Sequence, residues 1–261
     1  MPPRSHTSMS HKIFMLSLLL MVGITLVFSI SSKKDFNISK IEIQIEKIKG
    51  QMLVSKKEVL SILKKTHGYE VLNTEIKNLD LYAFESRLES DSRIRNAELY
   101  IDKGITLHIY IEQSLPIVRI KTEDYSYYLD QDGKKIKWSD SGTIRVPVAT
   151  GNIERYHEDY LKKKENSKLF QVYDLALRLF NNPQFLSPLV EQIHVEKDDD
   201  IVLIPKLGRE KIHFGKFENV ENKFYRLSEF YRDGLPKEGW GKYEVLRLDI
   251  NDRVTAQRYN Q

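Results

Sequence analysis

The chain has 261 residues, 30% charged and 41% hydrophobic, with a net charge of +4. That balance suits one or two domains with a real core, excludes wholesale disorder, and lacks the concentrated basic face that nucleic-acid binding needs. Without a single cysteine, disulfides, thiolate metal sites and cysteine nucleophiles are excluded, a composition compatible with an exported domain.

The first element is apolar. Ile13 to Ile30 carries no charge, with Ser17, Thr25 and Ser29 as its polar residues. As a helix rising ~1.5 Å per residue it spans roughly 27 Å, enough to cross a bilayer core. The stretch exceeds a usual signal-peptide core, and Ser29-Ile30-Ser31 is its sole small-x-small cleavage candidate, so an uncleaved anchor over 13–30 is expected. Arg4 and Lys12 before it nearly balance Lys33 and Lys34 after it. A short tail at 1–12 and a large following region set the orientation: tail in the cytoplasm, bulk outside.

Behind the span, "SKIEIQIEKI" alternates Ile41, Ile43 and Ile45 with Glu42, Gln44 and Glu46, the period of a half-buried strand. Ser55 and Glu58 have capping-box spacing, and Val59, Ile62 and Leu63 recur at helical spacing, predicting a helix over 56–66. Leu81, Phe84 and Leu88 predict a second helix with Asp80 as N-cap. Ala97, Leu99 and Ile101 then alternate, Asp102-Lys103-Gly104 turns the chain with Gly104 expected at positive φ, and Ile105 to Ile111 alternates again.

This strand, helix, helix, strand, strand order, followed by "LHIYIEQSLP" with Glu112 and Pro116, resembles a POTRA domain, a module found beside membranes. Further on, Tyr128-Leu129-Asp130-x-x-Gly133 and "RVPVATG", with Pro147 and Gly151, resemble in order two motifs of the β domain of the bacterial cell-division family FtsQ/DivIB. Asp130 and Gly133 also make physical sense as a turn, by side-chain capping and positive φ.

The rest alternates helices and short strands. A helix starts near Ser167, with Leu169, Val172, Tyr173, Ala176 and Phe180 on one face, and Asn181-Asn182-Pro183 stops it. "EQIHVEKDDDIVLIPKLGREKIHFG" reads as three strands with an acidic turn, and Val220, Phe224, Leu227 and Tyr231 mark another helix ending near Gly234. The last segment, Tyr243 to Val254, alternates imperfectly. The expected fold is α+β: an N-terminal transmembrane helix, a POTRA domain at 36–113, and a mixed α/β domain at 116–258 with a predominantly antiparallel sheet.

Catalytic chemistry finds little to start from. His67, His108, His157, His194 and His213 show no HxH, HxxxH or HExxH spacing, and "KDDD" at 197–200 lacks the spacing of a calcium loop. No G-x-S-x-G elbow or nucleotide-binding glycine motif is present. No cofactor is expected. His194 and His213 would be neighbours if their strands paired.

The resemblance implies a nonenzymatic single-pass scaffold of the inner membrane, enriched at the division septum, with both domains periplasmic. It implies FtsB-like and FtsL-like division proteins as partners, and FtsK-like and septal wall-synthase components beyond them. Partner binding in the family is by strand addition to the last strand. Carried over by position, the edge is Tyr243 to Val254, with Tyr243, Val245, Arg247, Ile250, Asp252, Arg253 and Val254 at the contact and Lys223 where the family has a helix lysine. Leu248-Asp249-Ile250 stands where many relatives have Leu-Arg-Tyr, which reverses a charge and removes an aromatic ring. The alternatives are a POTRA-bearing translocation or assembly factor and an anchored cell-wall hydrolase. The former more often shows repeated modules or a barrel, and the latter needs a carboxylate or metal cluster.

Overall fold

Residue periodicity accounts for most of the observed elements. The computed structural model describes residues 15, 17–21, 36–68, 70–139, 142–182, 186–239, 241–250 and 253–259. By its internal contacts the chain forms two units, Met1–Glu46 with Lys56–Glu112, and Lys47–Ser55 with Gln113–Gln261. The span expected at 13–30 lies mostly outside the described residues. Residues 15 and 17–21 are helical, and Met15, Leu18, Leu19, Leu20 and Met21 are exposed. Among the described residues no helix is long and apolar enough to cross a membrane.

The first unit follows the predicted order: β1 (Lys40–Ile45), α1 (Lys56–His67), α2 (Leu81–Glu89), β2 (Ile94–Ile101) and β3 (Thr106–Gln113). The sheet order is β1-β3-β2, with β1 parallel to β3. Alternation buries Ile43, Ile45, Ala97, Leu99, Leu107, Ile109 and Ile111, while helical spacing buries Val59 and Leu63 of α1 and Phe84 and Leu88 of α2. Each large side chain so buried is worth about 1.5–3 kcal/mol relative to exposure. The Asp80 carboxylate accepts from the Ala83 amide at 2.9 Å, supplying one of the partners that a helix start lacks. After α2, Arg93 is buried and forks onto Asp91 (2.9 and 2.7 Å), and its Nη1 reaches Glu58 of α1 at 2.5 Å.

The hairpin turn differs from expectation. Positive φ falls on Ile105 (61°), not on Gly104. The Ile105 amide donates to the Asp102 carbonyl and the Thr106 amide to the Asp102 carboxylate at 2.9 Å. The turn therefore closes one residue later than the glycine suggests, and the left-handed position falls on a β-branched residue, which costs about 1–3 kcal/mol locally.

The second unit holds β4 (Pro116–Lys121), β5 (Ser126–Asp130), β6 (Lys135–Lys137), β7 (Val148–Gly151), α3 (Lys168–Phe180), β8 (Val190–Val195), β9 (Ile201–Pro205), β10 (Lys211–Gly215), α4 (Val220–Glu229), β11 (Tyr243–Arg247) and β12 (Thr255–Arg258). They form one nine-stranded sheet, ordered β12-β11-β10-β9-β8-β7-β4-β5-β6. Five of its joins are antiparallel and three, β4 with β7, β7 with β8 and β10 with β11, are parallel, so antiparallel pairing predominates. Leu169, Val172 and Ala176 of α3 and Phe224 and Leu227 of α4 share a core with Ile193, Leu203, Ile212, Phe214 and Leu246 of the sheet.

Local signals again explain details. Ser167 caps α3, its hydroxyl accepting from the Phe170 amide at 3.1 Å. The Asp130 carboxylate accepts from Asp132 and Lys134 at 3.0 and 2.8 Å, and Gly133 takes φ 77°, which L side chains rarely adopt. The loop 47–55, inside the first domain by sequence, belongs to the second unit. There the Gln113 side chain accepts from Leu53 and Val54 at 2.5 and 3.1 Å, and Leu53 is buried with Tyr128, Ile136 and Ile144.

Candidate functional site

The chain end is where the sequence placed partner contacts, and its geometry departs from a single strand over 243–254. β11 ends at Arg247, and β12 begins at Thr255 and folds back antiparallel. β11 is paired on both sides, in parallel with β10 (Lys211 opposite Val245, His213 opposite Arg247) and with β12 (Leu246 opposite Ala256). Tyr243, Val245 and Arg247 therefore lie on an interior strand, and the open edge is β12. The alternation broke at Leu248 because that residue is fully buried, its amide donating to the His213 carbonyl at 2.8 Å. β12 was missed because "TAQR" is exposed along most of its length and its single apolar residue, Ala256, makes no alternation. Asn251-Asp252, a turn-forming pair between two β-prone stretches, was the available signal.

Ile250, Arg253 and Val254 stand in the connection between β11 and β12, and Asp252 lies outside the described residues. Ile250 is 40% exposed. Arg247 turns to Asp249, with contacts of 3.2 and 2.5 Å. Burial acts to raise the Asp249 pKa, but the Arg247 guanidinium outweighs it and holds the carboxyl below its usual range.

Two cations on one face of α4 hold the loops at this end of the sheet. Lys223 is 4% exposed, its ammonium donating to the Lys216 carbonyl at 2.8 Å and lying 4.9 Å from the Phe214 ring centre. Desolvation lowers its pKa. Lys223 thus faces inward beneath the β10 exit. Three residues on, at helical neighbour spacing, Arg226 donates from Nε to the Asn222 side chain at 2.7 Å. Its other nitrogens reach the carbonyls of Leu248 at 3.0 Å, Ile250 at 2.9 Å, and Arg253. Sequence reasoning overlooked Arg226 because a half-exposed helical arginine usually reads as a solvated charge.

The sheet edges differ in how available they are. Beside β2, Glu85 and Glu89 of α2 turn their carboxylates onto the strand, accepting from the amides of Leu99 at 2.8 Å and Ala97 at 3.2 Å. The match is geometric: four helical residues rise about 6 Å, close to two residues of strand. β6 is three residues long with exposed Lys135 and Lys137, and β1 carries an exposed Lys40–Glu42 ion pair at 2.5 Å, charges of the kind that discourage edge pairing. On β12, among the described residues, Thr255, Ala256 and Gln257 make no polar contact beyond their pairing with β11.

The histidines fall apart as a site. β8 and β10 are separated by β9, so His194 and His213 flank Val202 in one cross-sheet row and are not neighbours. His194 Nδ1 meets the Thr150 hydroxyl at 2.8 Å, which also accepts from Gln192 at 2.8 Å, beside a groove of about 880 Å³. Among the described residues no carboxylate orients His194, so this pair lacks the third member of a nucleophile-base relay. At the acidic turn, carboxylate oxygens of Glu196, Asp198 and Asp200 come within 4.8 Å of one another. Lys216 pairs with Asp200 at 2.9 Å and Lys168 with Asp199 at 3.1 Å, so lysines meet this charge.

Comparison with curated proteins finds no match to the chain. Comparison with protein families matches residues 38–112 to the POTRA-like domain and residues 115–257 to the family FtsQ/DivIB, C-terminal related. The second match takes in the nine-stranded sheet except Arg258 at the end of β12, and more than half of the chain, so the protein belongs to the FtsQ/DivIB family.

Proposed function

We propose that the protein is a nonenzymatic, membrane-anchored scaffold of bacterial cell division that holds FtsB-like and FtsL-like single-pass partners at the septum by strand addition. The observation that carries this reading is the outer edge of β12 at Thr255, Ala256 and Gln257, which among the described residues no other strand pairs, within the family-matched unit. An unpaired edge offers a row of amides and carbonyls that a partner strand completes, while flanking side chains select the partner. Ile250, Arg253 and Val254 flank that edge, and Tyr243, Val245 and Arg247 support it from the strand beneath.

The apolar stretch 13–30 is the membrane anchor, the tail 1–12 is cytoplasmic, and both folded units are periplasmic. Five large apolar side chains left exposed at 15–21 support this, since a lipid core would bury them. FtsK-like and septal wall-synthase components are further candidates for the assembly.

The test uses the full-length chain in detergent, bound to a purified FtsB-like protein. Successive residues of a strand point their amides to opposite sides, so one of Ala256→Pro and Gln257→Pro removes an amide of the open edge and the other a bond to β11. Loss of binding in a variant that keeps its thermal transition is the expected outcome. If both proline variants bind the partner like the parent, the edge reading fails.

A further inference from the structure

We propose that Arg226 is a positioning residue for strand addition: it fixes the connection from β11 to β12 and so keeps the open edge assembled before a partner arrives. The inference rests on the proposed role of β12 as the binding edge.

β12 is weakly held by its own ladder. It has four residues, is exposed along most of its length, and pairs with one neighbour. Such a strand frays readily unless something outside the ladder restrains it. At its far end Tyr259 supplies a restraint, its amide donating to the Lys242 carbonyl and its hydroxyl to the Arg209 carbonyl at 3.3 Å. At the near end the restraint is Arg226.

The carbonyls of Leu248, Ile250 and Arg253 lie on both arms of the connection, before and after 251–252, and all three accept from the one guanidinium. Asn222, one turn earlier on α4, takes Nε and sets the plane of the fork. A guanidinium has five N–H groups in rigid geometry, and here four meet oxygen. Lysine cannot copy this, because its three donors radiate from one atom. The helix itself is held by buried Phe224 and Leu227, and by Lys223 on the Lys216 carbonyl. The connection is thus tied to a packed element and not merely to solvent.

The functional consequence follows from population. If the edge is assembled only a fraction of the time, the apparent affinity for a strand falls by that fraction. Loss of charge-assisted hydrogen bonds of this kind shifts the balance from the assembled to the frayed edge about tenfold, and affinity falls by as much only once the frayed form predominates. The loss appears in the association rate, because the bound complex, once formed, completes β12 from its other side.

The experiment compares the full-length parent in detergent with Arg226→Ala and Arg226→Lys. Amide exchange at 253–258 should accelerate about tenfold in Arg226→Ala, and by less in Arg226→Lys, with β8 to β10 unchanged. Binding of the purified FtsB-like protein should weaken, by at most that factor, through slower association at constant dissociation rate. Unchanged exchange at 253–258 overturns the proposal, as does faster dissociation, which would make Arg226 a partner contact. Faster exchange over the whole sheet also overturns it, since Arg226 would then serve general stability. The β12 proline variants separate this from the underlying reading: if they leave binding intact, the edge reading has failed, whatever Arg226 does to exchange.

Discussion

The outer edge of β2 and the outer edge of β12 pose the same physical problem and receive opposite treatments. At β2, two outward amides already donate to Glu85 and Glu89 of a helix laid alongside. At β12, the helix cation Arg226 reaches the connection before the strand and leaves Thr255, Ala256 and Gln257 with β11 pairing alone. An unpaired edge invites any strand, so a protein that uses one edge gains by closing the others. Side chains of one helix close an edge in the first case and hold an edge ready in the second.

The largest expected effect comes from removing what seats α2 against β2. Leu88→Ala empties a fully buried position and should cost about 2–5 kcal/mol, read as a lower thermal transition. The amides of Ala97 and Leu99 should then exchange faster as well; if they stay slow, α2 does not close that edge. Next, Arg93→Ala leaves Asp91 and Glu58 without their shared guanidinium. A buried pair broken from one side costs about 3–5 kcal/mol, and the partial exposure of both carboxylates reduces this to about 2 kcal/mol by denaturant titration.

A sharper test removes the closure alone. Glu85→Ala with Glu89→Ala should cost about 1 kcal/mol per lost hydrogen bond, speed exchange at Ala97 and Leu99, and raise concentration-dependent self-association by sedimentation. The paired glutamine variant should lie between, because a neutral acceptor is weaker than a carboxylate. Self-association equal to the parent would mean that the carboxylates do not guard the edge.

The smallest effect is a pH dependence at the other edge. The folded-state pKa of Asp249 is depressed from its ordinary 3.8, chiefly by Arg247 against an opposing effect of burial. Its stabilising contribution is complete above that ordinary value and disappears as pH falls through the lower folded value. Because Arg247 is half exposed, the contribution is under about 1 kcal/mol. Asp249→Asn should abolish this part of the acid sensitivity, measured by denaturant unfolding at pH 3 against pH 6.

Much of the fold was legible because one residue pattern and one environment coincide there. The alternation Ile41, Ile43, Ile45 faces a helix-covered core on one side and water on the other, so period two survives in the sequence. Asp80, Ser167 and Asp130 act on amides within four residues, and local chemistry is readable locally. The chain end was legible as strand but not in its pairing. Tyr243 to Arg247 looked like an edge because a strand's sequence says which side chains are buried, not which amides find a neighbour. β12 was silent because exposed polar residues in a strand look like a tail.

By itself, then, the sequence determined the order of elements in the first unit, both family resemblances, the buried stripes of the helices and the turn at Asp130 and Gly133. Tertiary structure alone decided that 47–55 belongs with the second unit, that β11 is interior, that Lys223 points inward, and that Glu85, Glu89 and Arg226 act on backbone groups outside their own helices. The physical reason is separation along the chain. Periodicity and capping act over a few residues, whereas Arg226 and the carbonyl of Ile250 are 24 residues apart, and only the closed sheet brings them within 2.9 Å.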